Sequence, residues 1–169
     1  MSLEFKTATL SDIDSIIALQ ELIWEPTYRA ILDQEQITYM FQAIYSQEAL
    51  REQMTVEKQE FILAFSDQKL TGFAAFSRNE ANDERFKLHK IYVLPTEQGK
   101  GTGRLLLEEV IRRCLSAGGN RLYLNVNRYN KARQFYERLG FEVVREEDIP
   151  IGPYWMNDFV LEKPLVTQG

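Results

Sequence analysis

The sequence predicts a mixed α+β fold, in which a central, mostly antiparallel sheet of seven strands is flanked by about four helices. Two observations predict it. Aromatic-rich, strand-like segments flank a polar turn at residues 67–69, which is typical of a hairpin and gives antiparallel pairing. Further along, the strand-like run RFKLHKIYVL leads through a glycine loop into a leucine-rich helix, which is typical of a crossover connection and gives parallel pairing.

The N-terminal region is predicted to contain one strand and two or three helices. The strand is FKTATL, and the helix behind it should end or turn at Pro26, because proline cannot continue the backbone hydrogen bonding. Residues 33–56 predict one or two more helices. The side chains expected together on one side of them are Tyr39, Met40, Ala43 and Ile44.

The region behind the glycine loop predicts two helices and three strands. Helical periodicity is carried by Leu107, Val110, Ile111 and Cys114, and it ends near two glycines at 118–119. RLYLNVN is a predicted strand, and NKARQFYERLG is a short helix stopped by Gly140. The last two strands are FEVVRE and YWMNDFVLEKPL.

Length and composition favour one soluble domain over residues 1–169. The 20 basic and 25 acidic side chains give a net charge of −5, which argues against a nucleic-acid partner.

The single cysteine, Cys114, forms no intramolecular disulfide, and with the single histidine it cannot build a zinc site. No apolar run reaches the roughly 20 residues that span a bilayer. We therefore expect a cytoplasmic protein with no metal and no membrane partner.

The stretch LPTEQGKGTGRLLLEEVI, residues 94–111, predicts an anion site. The first backbone N–H groups of a helix lack intrahelical partners, and the helix dipole adds positive potential there. Glycines let these amides approach a ligand closely, and Lys100 and Arg104 add charge. The expected ligand is a phosphate or pyrophosphate.

Two common phosphate-binding motifs do not fit this loop. A triphosphate-binding loop needs glycine where Leu94 stands and serine or threonine where Gly101 stands. The dinucleotide pattern G-x-G-x-x-G needs glycine or alanine where Arg104 stands. A nucleotide hydrolase is therefore disfavoured.

QGKGTG instead resembles the pyrophosphate loop Gln/Arg-x-x-Gly-x-Gly/Ala of the GCN5-related N-acetyltransferase (GNAT) superfamily. IYVLP, LYLNVN and FYERLGF resemble neighbouring elements of that family in the same order, so that the similarity is continuous over roughly residues 86–162. The resemblance implies the GNAT fold and an acyltransferase that uses acetyl-CoA as donor. Dimers are frequent in the superfamily, so a homodimer is compatible with it.

The resemblance also implies a set of cofactor-binding residues. Backbone amides of the loop would hold the pyrophosphate, namely those of Gln98, Gly99, Lys100, Gly101, Thr102, Gly103 and Arg104. The pantetheine arm would lie like an extra strand between the strands that contain Tyr92–Val93 and Leu124–Asn125. Asn130 is expected to cap the following helix and to lie near the cofactor. Asn125 either forms a bulge that splays the strands or is an ordinary solvent-facing residue.

Acetyl transfer to an amine needs a proton acceptor for the amine and benefits from a proton donor for the leaving thiolate. Tyr136 matches the family's general acid, and it should lie beside a core stripe of Ala132, Phe135 and Leu139. In the alternative interpretation Tyr136 only packs, with its hydroxyl bonded to a neighbour.

The general base is less well defined by the sequence. Many relatives have a glutamate on the fourth strand where this chain has Lys87. His89 should share a face with Lys87 and has an ordinary pKa of about 6.5, which suits proton transfer, although a lone strand histidine is often structural. A chain of waters, or an amine that arrives deprotonated, would also serve.

Five residues are candidates for the acceptor pocket, because aromatic faces and a carboxylate suit an ammonium group. They are Trp24, Glu25, Tyr28, Tyr154 and Trp155. Alternatively, they fill the interface between helices and sheet. A looser resemblance of IWEPTY and PYWMNDFVLEKPL to bacterial spermidine/spermine acetyltransferases implies a small amine such as a polyamine. The alternatives are a protein N-terminal or lysine acetyltransferase and a non-catalytic acyl-CoA-binding module.

Overall fold

The computed structural model describes residues 2–166, which form seven strands and five helices. The helices are α1 (Ile13–Tyr28), α2 (Gln34–Tyr45), α3 (Gln47–Thr55), α4 (Thr102–Ser116) and α5 (Ala132–Arg138). The strands are β1 (Leu3–Thr7), β2 (Glu60–Ser66), β3 (Lys69–Asn79), β4 (Asn82–Val93), β5 (Arg121–Asn127), β6 (Glu142–Ile151) and β7 (Tyr154–Pro164).

The seven strands form one mixed sheet in the order β1-β2-β3-β4-β5-β7-β6. β1 pairs antiparallel with β2, and β2 pairs antiparallel with β3. β4 and β5 are parallel, as expected for strands joined by the crossover helix α4. β7 pairs antiparallel with both β5 and β6. The predicted fold class, a mostly antiparallel mixed sheet with helices, is confirmed.

The β2–β3 and β6–β7 hairpins are each closed by residues with positive φ. Asp67 and Gln68 have φ of 50° and 71° between the paired ends of β2 and β3, which is the backbone of a two-residue hairpin turn. In the β6–β7 hairpin, Gly152 has a φ of 57°. β6 extends to Ile151, five residues beyond the predicted FEVVRE, because the cross-strand pairing with β7 continues to the turn.

The chain divides into two compact units. The first comprises Met1–Ser77 and Lys90–Val110, and the second comprises Arg78–His89 and Ile111–Gly169. The boundaries fall inside β4 and α4, so each of these elements has residues in both units. A single domain over the whole chain stays a prediction.

In the first unit, helices α1, α2 and α3 bury apolar side chains together with β2 and β3. Fully buried members of this core include Ile16, Ile23, Leu50, Phe61 and Phe73. Helix α1 continues to Tyr28, two residues past Pro26, so the prediction that the helix ends or turns at the proline was wrong. Residues 33–56 form two helices, which is one of the two predicted numbers, so that the described chain has five helices where about four were expected.

The predicted face of α2 was only partly correct. Met40 is buried, but Tyr39 and Ala43 are exposed and Ile44 is half-buried. The buried residues of α2 are instead Gln36, Ile37, Met40 and Tyr45. α1 and α3 both pack against α2, so its buried surface is broader than a single stripe.

In the second unit, β5 separates an apolar face from a polar one. Leu122 and Leu124 are buried on one side of the strand, whereas Tyr123 and Asn125 are half-buried on the other.

The periodic residues predicted for α4 face the protein interior. Leu107, Val110 and Cys114 are buried and Ile111 is half-buried, which confirms the predicted helix. No helix formed by residues 2–166 is both long and apolar enough to cross a membrane.

Candidate active site

The glycine loop and the start of α4 lie in the first unit. Gly99 and Gly101 have φ of 87° and 83°, a left-handed backbone that favours glycine. A Cβ built on either glycine would have no atom within 4 Å, so both face open space. The loop therefore leaves room for a ligand beside its backbone.

The amides of this loop differ in availability. The N–H groups of Gln98 and Lys100 donate to the carbonyls of Pro95 and Glu97, both at 3.3 Å, in the short turn before the helix. Leu105 N–H donates to Gly101 O at 3.1 Å. α4 begins at Thr102, so the amides of residues 102–104 are first-turn donors that point out of the helix end. The amides of residues 102–104 are thus oriented for an anion, and anion binding by the other predicted amides, those of residues 98–101, stays a prediction.

The Thr102 side chain is 1% exposed, and within residues 2–166 its hydroxyl has no hydrogen-bond partner. Buried hydroxyls are nearly always bonded, so an unpaired one at a helix N-terminus indicates a missing acceptor. A phosphate oxygen fits this requirement. The residues of the loop therefore fit the diphosphate of coenzyme A.

Lys100 and Arg104, the two cations of the loop, are both exposed and lie near carboxylates. Lys100 Nζ is 3.4 Å from Glu97 Oε2, and Arg104 Nη1 is 3.3 Å from Glu108 Oε1. The Arg104–Glu108 pair is exposed on both sides and contributes at most about 1 kcal/mol, whereas the Glu97 side chain is only 13% exposed. Arg104 can therefore exchange its carboxylate for a phosphate at little cost.

The first unit also brings together three predicted residues, Trp24, Tyr28 and Tyr92. The hydroxyls of Tyr28 and Tyr92 are hydrogen-bonded at 2.9 Å, and the rings of Trp24 and Tyr28 are 4.5 Å apart. Trp24 is buried and donates its indole N–H to Ile37 O at 2.9 Å. Trp24 and Tyr28 therefore pack within the first unit, and the hydroxyl of Tyr28 is bonded to that of Tyr92 on β4. Their part in the acceptor pocket stays a prediction.

Tyr45 completes this group and was not predicted. Its ring is 5.4 Å from Trp24, and it is only 2% exposed. Burial raises the pKa of the Tyr45 hydroxyl well above its ordinary value, the proximity of Tyr28 raises it further, and a hydrogen bond with Tyr92 only partly offsets this. Tyr45 is therefore a neutral hydroxyl at physiological pH. It lies outside the predicted face of α2, which is why periodicity missed it.

A cavity of about 200 Å³ lies between α1 and α2. Trp24 and Phe41 supply aromatic surface, and Glu21 and Glu25 supply carboxylates. Glu25 is exposed and pairs with Arg29 at 2.7 Å. The cavity therefore combines aromatic faces with carboxylates, the two features that attract an ammonium group. Glu21 is a lining residue that the sequence analysis did not predict.

Tyr136 lies in the second unit, where it is the buried residue of α5 at 8% exposure. Its ring contacts Phe135 and Phe141 edge-on, at centroid distances of 5.3 and 5.7 Å. The predicted core stripe was wrong, because Ala132, Phe135 and Leu139 are only half-buried. The two aromatic contacts orient the phenol, whichever role its hydroxyl has.

The two predicted asparagines behave differently. Asn130 Oδ1 accepts the N–H of Ala132 at 2.9 Å, so the expected capping of α5 is present, although Lys131 is the residue that directly precedes the helix.

Asn125 pairs with Val160 in a regular register, so it forms no bulge against β7. Its side chain donates to Asp158 Oδ2 at 3.3 Å, so it is not an ordinary solvent-facing residue. The parallel register of β4 with β5 runs to Leu88 and Leu124, directly before Asn125, and the predicted separation of these strands at Asn125 stays a prediction.

Lys87 and His89 are both half-buried and alternate with buried Phe86, Leu88 and Lys90, so their predicted common face is confirmed. This side of the second unit, here called the polar face, extends across β4, β5 and β7. Its other members are Arg85, Tyr123, Asn125, Asp158 and Glu162.

Several interactions connect the polar face. The Arg85 guanidinium lies 3.6 Å from the centroid of the Tyr123 ring, and Lys87 Nζ lies 5.8 Å from it. Glu162 accepts from Arg85 at 2.7 Å and from Arg121 at 3.1 Å. The parallel register of β4 and β5 covers residues 85–88 against 121–124, and β4 continues for five more residues to Val93.

Asp158 is a second carboxyl of this face that the sequence did not reveal. It is 5% exposed, and burial raises its pKa; the hydrogen bond from Asn125 and the charges of Lys87 and Arg128 oppose this rise, and Glu147 adds to it. The net pKa is above the ordinary value. In the sequence Asp158 is one polar residue in an alternating strand, and nothing there distinguishes it.

Tyr154 and Trp155 lie together at the turn of the β6–β7 hairpin, in the second unit. Trp155 is 59% exposed, so it does not fill an interface between helix and sheet. That alternative is wrong for Trp155, and its assignment to the acceptor pocket stays a prediction.

Residues 28–152 match the family model described as an acetyltransferase (GNAT) domain. The chain belongs to the GNAT acetyltransferase family. This identifies it as an acetyl-CoA-dependent N-acetyltransferase, in agreement with the resemblance of its glycine loop.

Two full-length relatives agree with this assignment. The GNAT chain is 27% identical to a spermidine N(1)-acetyltransferase of Thermoplasma acidophilum over 96% of its own length and 98% of the relative. The crystal structure of the PaiA N-acetyltransferase of T. acidophilum in complex with coenzyme A superposes with a TM-score of 0.82 and 28% identity, covering 97% and 99% of the two chains. A shorter match, 44% over 57 residues, links it to the ribosomal protein bS18 alanine N-acetyltransferase of Haemophilus influenzae, covering 34% and 39% of the chains.

The ion pairs of Glu162 yield a pH-dependent prediction. Burial raises the pKa of Glu162, but the hydrogen bonds from Arg85 and Arg121 lower it more, so that the net pKa is below its ordinary value. Replacing Glu162 with Gln should lower the free energy of unfolding by about 1–3 kcal/mol at neutral pH. Because the pKa is lower in the folded state, this stabilisation is fully present above the unfolded-state pKa and is lost as the pH falls through the folded-state pKa. The difference between the two proteins should therefore shrink below the unfolded-state pKa and vanish below the folded-state one.

Urea unfolding of both proteins across this pH range measures the effect. Glu146→Gln is the matched control, because Glu146 is exposed and its contact with Arg128 is 3.9 Å long, and it should change stability by less than about 0.5 kcal/mol. An equal loss for Glu162→Gln at neutral and acidic pH would contradict the ion-pair explanation.

Proposed function

We propose that this GNAT chain transfers the acetyl group of acetyl-CoA to a primary amine of a small polyamine such as spermidine, by direct attack of the amine on the thioester. The observation that carries the proposal is the fit of the glycine loop to a diphosphate. Two left-handed glycines, three first-turn amides and a buried unpaired hydroxyl all belong to residues 99–104. The likeness to the Thermoplasma spermidine acetyltransferase extends over nearly the whole of both chains.

In this proposal the glycine loop binds the diphosphate of the cofactor and takes no part in the chemical step. The amides of residues 102–104 and the Thr102 hydroxyl hold the diphosphate, and Lys100 and Arg104 add charge. The predicted contacts of the pantetheine arm are backbone groups of Tyr92–Val93 and of Leu124–Asn125. Asn130, which caps α5, is proposed as a further cofactor contact. Bound in this way, acetyl-CoA supplies an activated acyl group.

Tyr136 is proposed as the proton donor to the departing thiolate. A phenol pKa near 10 lies above that of a thiol, so the hydroxyl remains protonated at neutral pH and the transfer to a thiolate is a modest uphill step. The ring contacts with Phe135 and Phe141 support this role, because they fix the position of the hydroxyl.

The polyamine assignment is supported by the cavity between α1 and α2. Its carboxylates, Glu21 and Glu25, would attract the ammonium groups of a polyamine, and Trp24 and Phe41 would contact its methylene chain. Tyr154 and Trp155 are proposed as additional contacts. A protein N-terminal alanine is the second candidate acceptor, favoured by the 57-residue match to the bS18 enzyme.

A panel of amines assayed by thiol release tests the acceptor class. Spermidine should be acetylated with a higher kcat/KM than peptides that carry an N-terminal alanine or an internal lysine. A higher kcat/KM for the alanine peptide would instead identify protein N-termini as the acceptor class. Binding of coenzyme A without turnover of any amine would favour the non-catalytic acyl-CoA-binding module.

Replacing Thr102 with Val tests the diphosphate site. Because the hydroxyl has no partner within residues 2–166, its loss should leave the melting temperature of the free protein unchanged or raise it. The Kd for coenzyme A should rise about tenfold, since a hydrogen bond to a charged group contributes about 1.5–3 kcal/mol. Calorimetry and thermal melts measure both quantities, with Thr55→Val as the matched control. A lowered melting temperature with unchanged Kd would show that the hydroxyl only supports the fold.

Replacing Tyr136 with Phe keeps the ring contacts and removes the hydroxyl. kcat should fall by about 10²-fold, the scale of general acid catalysis, while the Kd for coenzyme A stays within about twofold. Tyr39→Phe, on the exposed side of α2, is the control. An unchanged kcat would assign Tyr136 to packing alone.

The carboxylates of the α1–α2 cavity should act on substrate binding. Glu21→Gln and Glu25→Gln should each raise the KM for spermidine about fivefold, with kcat and the KM for acetyl-CoA nearly unchanged, because each removes about 1 kcal/mol of ion pairing. Steady-state kinetics at low and high salt measure this, and the effect should shrink with salt. The exposed Glu57 provides a charge-matched Gln control. Unchanged KM values would exclude the cavity as the ammonium site.

A further inference from the structure

Strand β3 contains one residue more than its partner β2 near the turn that joins them. Ala64 pairs with Gly72, whereas the next residue of β2, Phe65, pairs with Leu70. Thr71 is therefore an extra residue, and the irregularity is a β-bulge. A bulge bends its strand and redirects the groups beside it, so its position in the fold has consequences for the neighbouring strands.

The side chain of Thr71 holds the bulge together. Thr71 is fully buried, and its hydroxyl donates to Ala64 O, the carbonyl beside the register shift, at 3.4 Å. The same hydroxyl forms a hydrogen bond of 3.1 Å with the hydroxyl of Ser66, which is also buried. A side chain thus connects β2 and β3 at the point where the regular pairing is interrupted.

The bulge also contacts the end of β4, the other neighbour of β3 in the sheet. The N–H of Leu94 donates to Thr71 O at 2.8 Å. A Cβ built on Gly72 would lie 2.8 Å from Tyr92 O and 3.2 Å from Val93 Cγ2. The first distance is too short for a carbon atom, so only glycine fits here without displacement of the β4 backbone.

These two contacts determine the direction of the backbone groups of Val93. The peptide bonds on both sides of Val93 are trans, and the C=O and N–H of a trans peptide point in opposite directions. Because Tyr92 O lies against Gly72, the N–H of Val93 points away from β3. Because the N–H of Leu94 faces Thr71, the C=O of Val93 points away from β3 as well.

Val93 therefore presents one donor and one acceptor at the edge of β4 that is remote from β3. The parallel register of β4 with β5 covers residues 85–88, five residues before Val93, and Val93 is half-buried. A donor and an acceptor on one strand residue are what a secondary amide needs in order to add as a further strand. The pantetheine arm of coenzyme A contains two such amides.

We propose that Thr71 and Gly72 are positioning residues for the cofactor, because the bulge turns the N–H and C=O of Val93 toward an amide of the pantetheine arm. This inference rests on the pantetheine contacts of the proposed function and is independent of the acceptor amine. Of the two predicted contact residues on β4, Val93 supplies the backbone groups, whereas the C=O of Tyr92 faces Gly72.

Gly72→Ala tests the close approach of β3 and β4. The added Cβ should displace Tyr92 O and turn Val93, so the Kd for coenzyme A should rise about tenfold, as expected for the loss of one or two ordinary hydrogen bonds. Adenosine 3′-phosphate 5′-diphosphate, which has the diphosphate but no pantetheine arm, should bind within about twofold of wild type. Calorimetry on the whole chain measures both values, and an equal loss for both ligands would overturn the inference.

Gly119→Ala is the matched control for crowding at a glycine. A Cβ on Gly119, which follows α4 in the second unit, would lie 2.6 Å from Phe86 Cδ1 and 2.9 Å from Cys114 O. Both alanine variants should lower the melting temperature by about 3–10 °C, and only Gly72→Ala should weaken the binding of coenzyme A. The same Kd in the two variants would contradict a positioning role for Gly72.

Two variants of Thr71 provide a second test that does not depend on the folding of Gly72→Ala. Thr71→Val keeps the shape of the side chain and removes the bridging hydroxyl, whereas Thr71→Ser retains the hydroxyl. The KM for acetyl-CoA should rise about threefold in Thr71→Val and stay near wild type in Thr71→Ser, with the KM for the amine unchanged in both. A wild-type KM for acetyl-CoA in Thr71→Val would overturn the role of the bulge.

The outcomes also separate this inference from the proposed function. If wild type binds neither coenzyme A nor the nucleotide, the diphosphate site fails, and the inference fails with it. If wild type binds coenzyme A but acetylates no polyamine, only the proposed acceptor fails, and the Kd values still decide the role of Gly72. If wild type acetylates spermidine and Gly72→Ala binds coenzyme A equally well, only the positioning role fails.

Discussion

The left-handed backbone at Gly99 and Gly101 is the constraint on which the candidate site depends. These two residues let the chain leave β4 and enter α4 without a side chain over the helix end. Because α4 begins directly after them, three first-turn amides and the Thr102 hydroxyl are left without partners from the described chain. A residue with a Cβ at either glycine would be strained, so the loop is specified by its backbone conformation rather than by side-chain chemistry.

Six buried side-chain polar atoms lack hydrogen-bond partners within residues 2–166, and two of them are Thr102 Oγ1 in the first unit and Asp158 Oδ1 in the second. A buried group that loses water and gains nothing lowers stability by an amount on the order of 1–3 kcal/mol. Native folds retain such penalties mainly at sites where a ligand or a proton completes the bonding. For Thr102, in the first turn of α4, a phosphate oxygen would complete it.

Sequence patterns predicted the fold well because its elements are specified locally. The hairpin turn, the periodicity of α4 and the glycine that stops α5 each depend on residues close together in the chain. The glycine loop was predicted for the same reason. The sequence did not reveal Tyr45 and Asp158, and it gave the wrong surroundings for the side chain of Asn125. The reason is that the residues around all three come from distant segments of the chain. An aspartate in an alternating strand is ordinary until the register shows that β5 and β6 bury it.

The carboxylates of this protein differ in environment, and the difference determines what each can do. Glu25 lines the α1–α2 cavity and pairs with Arg29 at 2.7 Å, so its carboxylate is in contact with a cation and partly open to solvent. Asp158 is buried, has one unpaired oxygen and has a raised pKa, so protonation relieves part of its desolvation. The first carboxyl is thus an accessible anion at the edge of a cavity, and the second is a group whose charge is destabilised by burial. Environment, rather than residue type, separates the two.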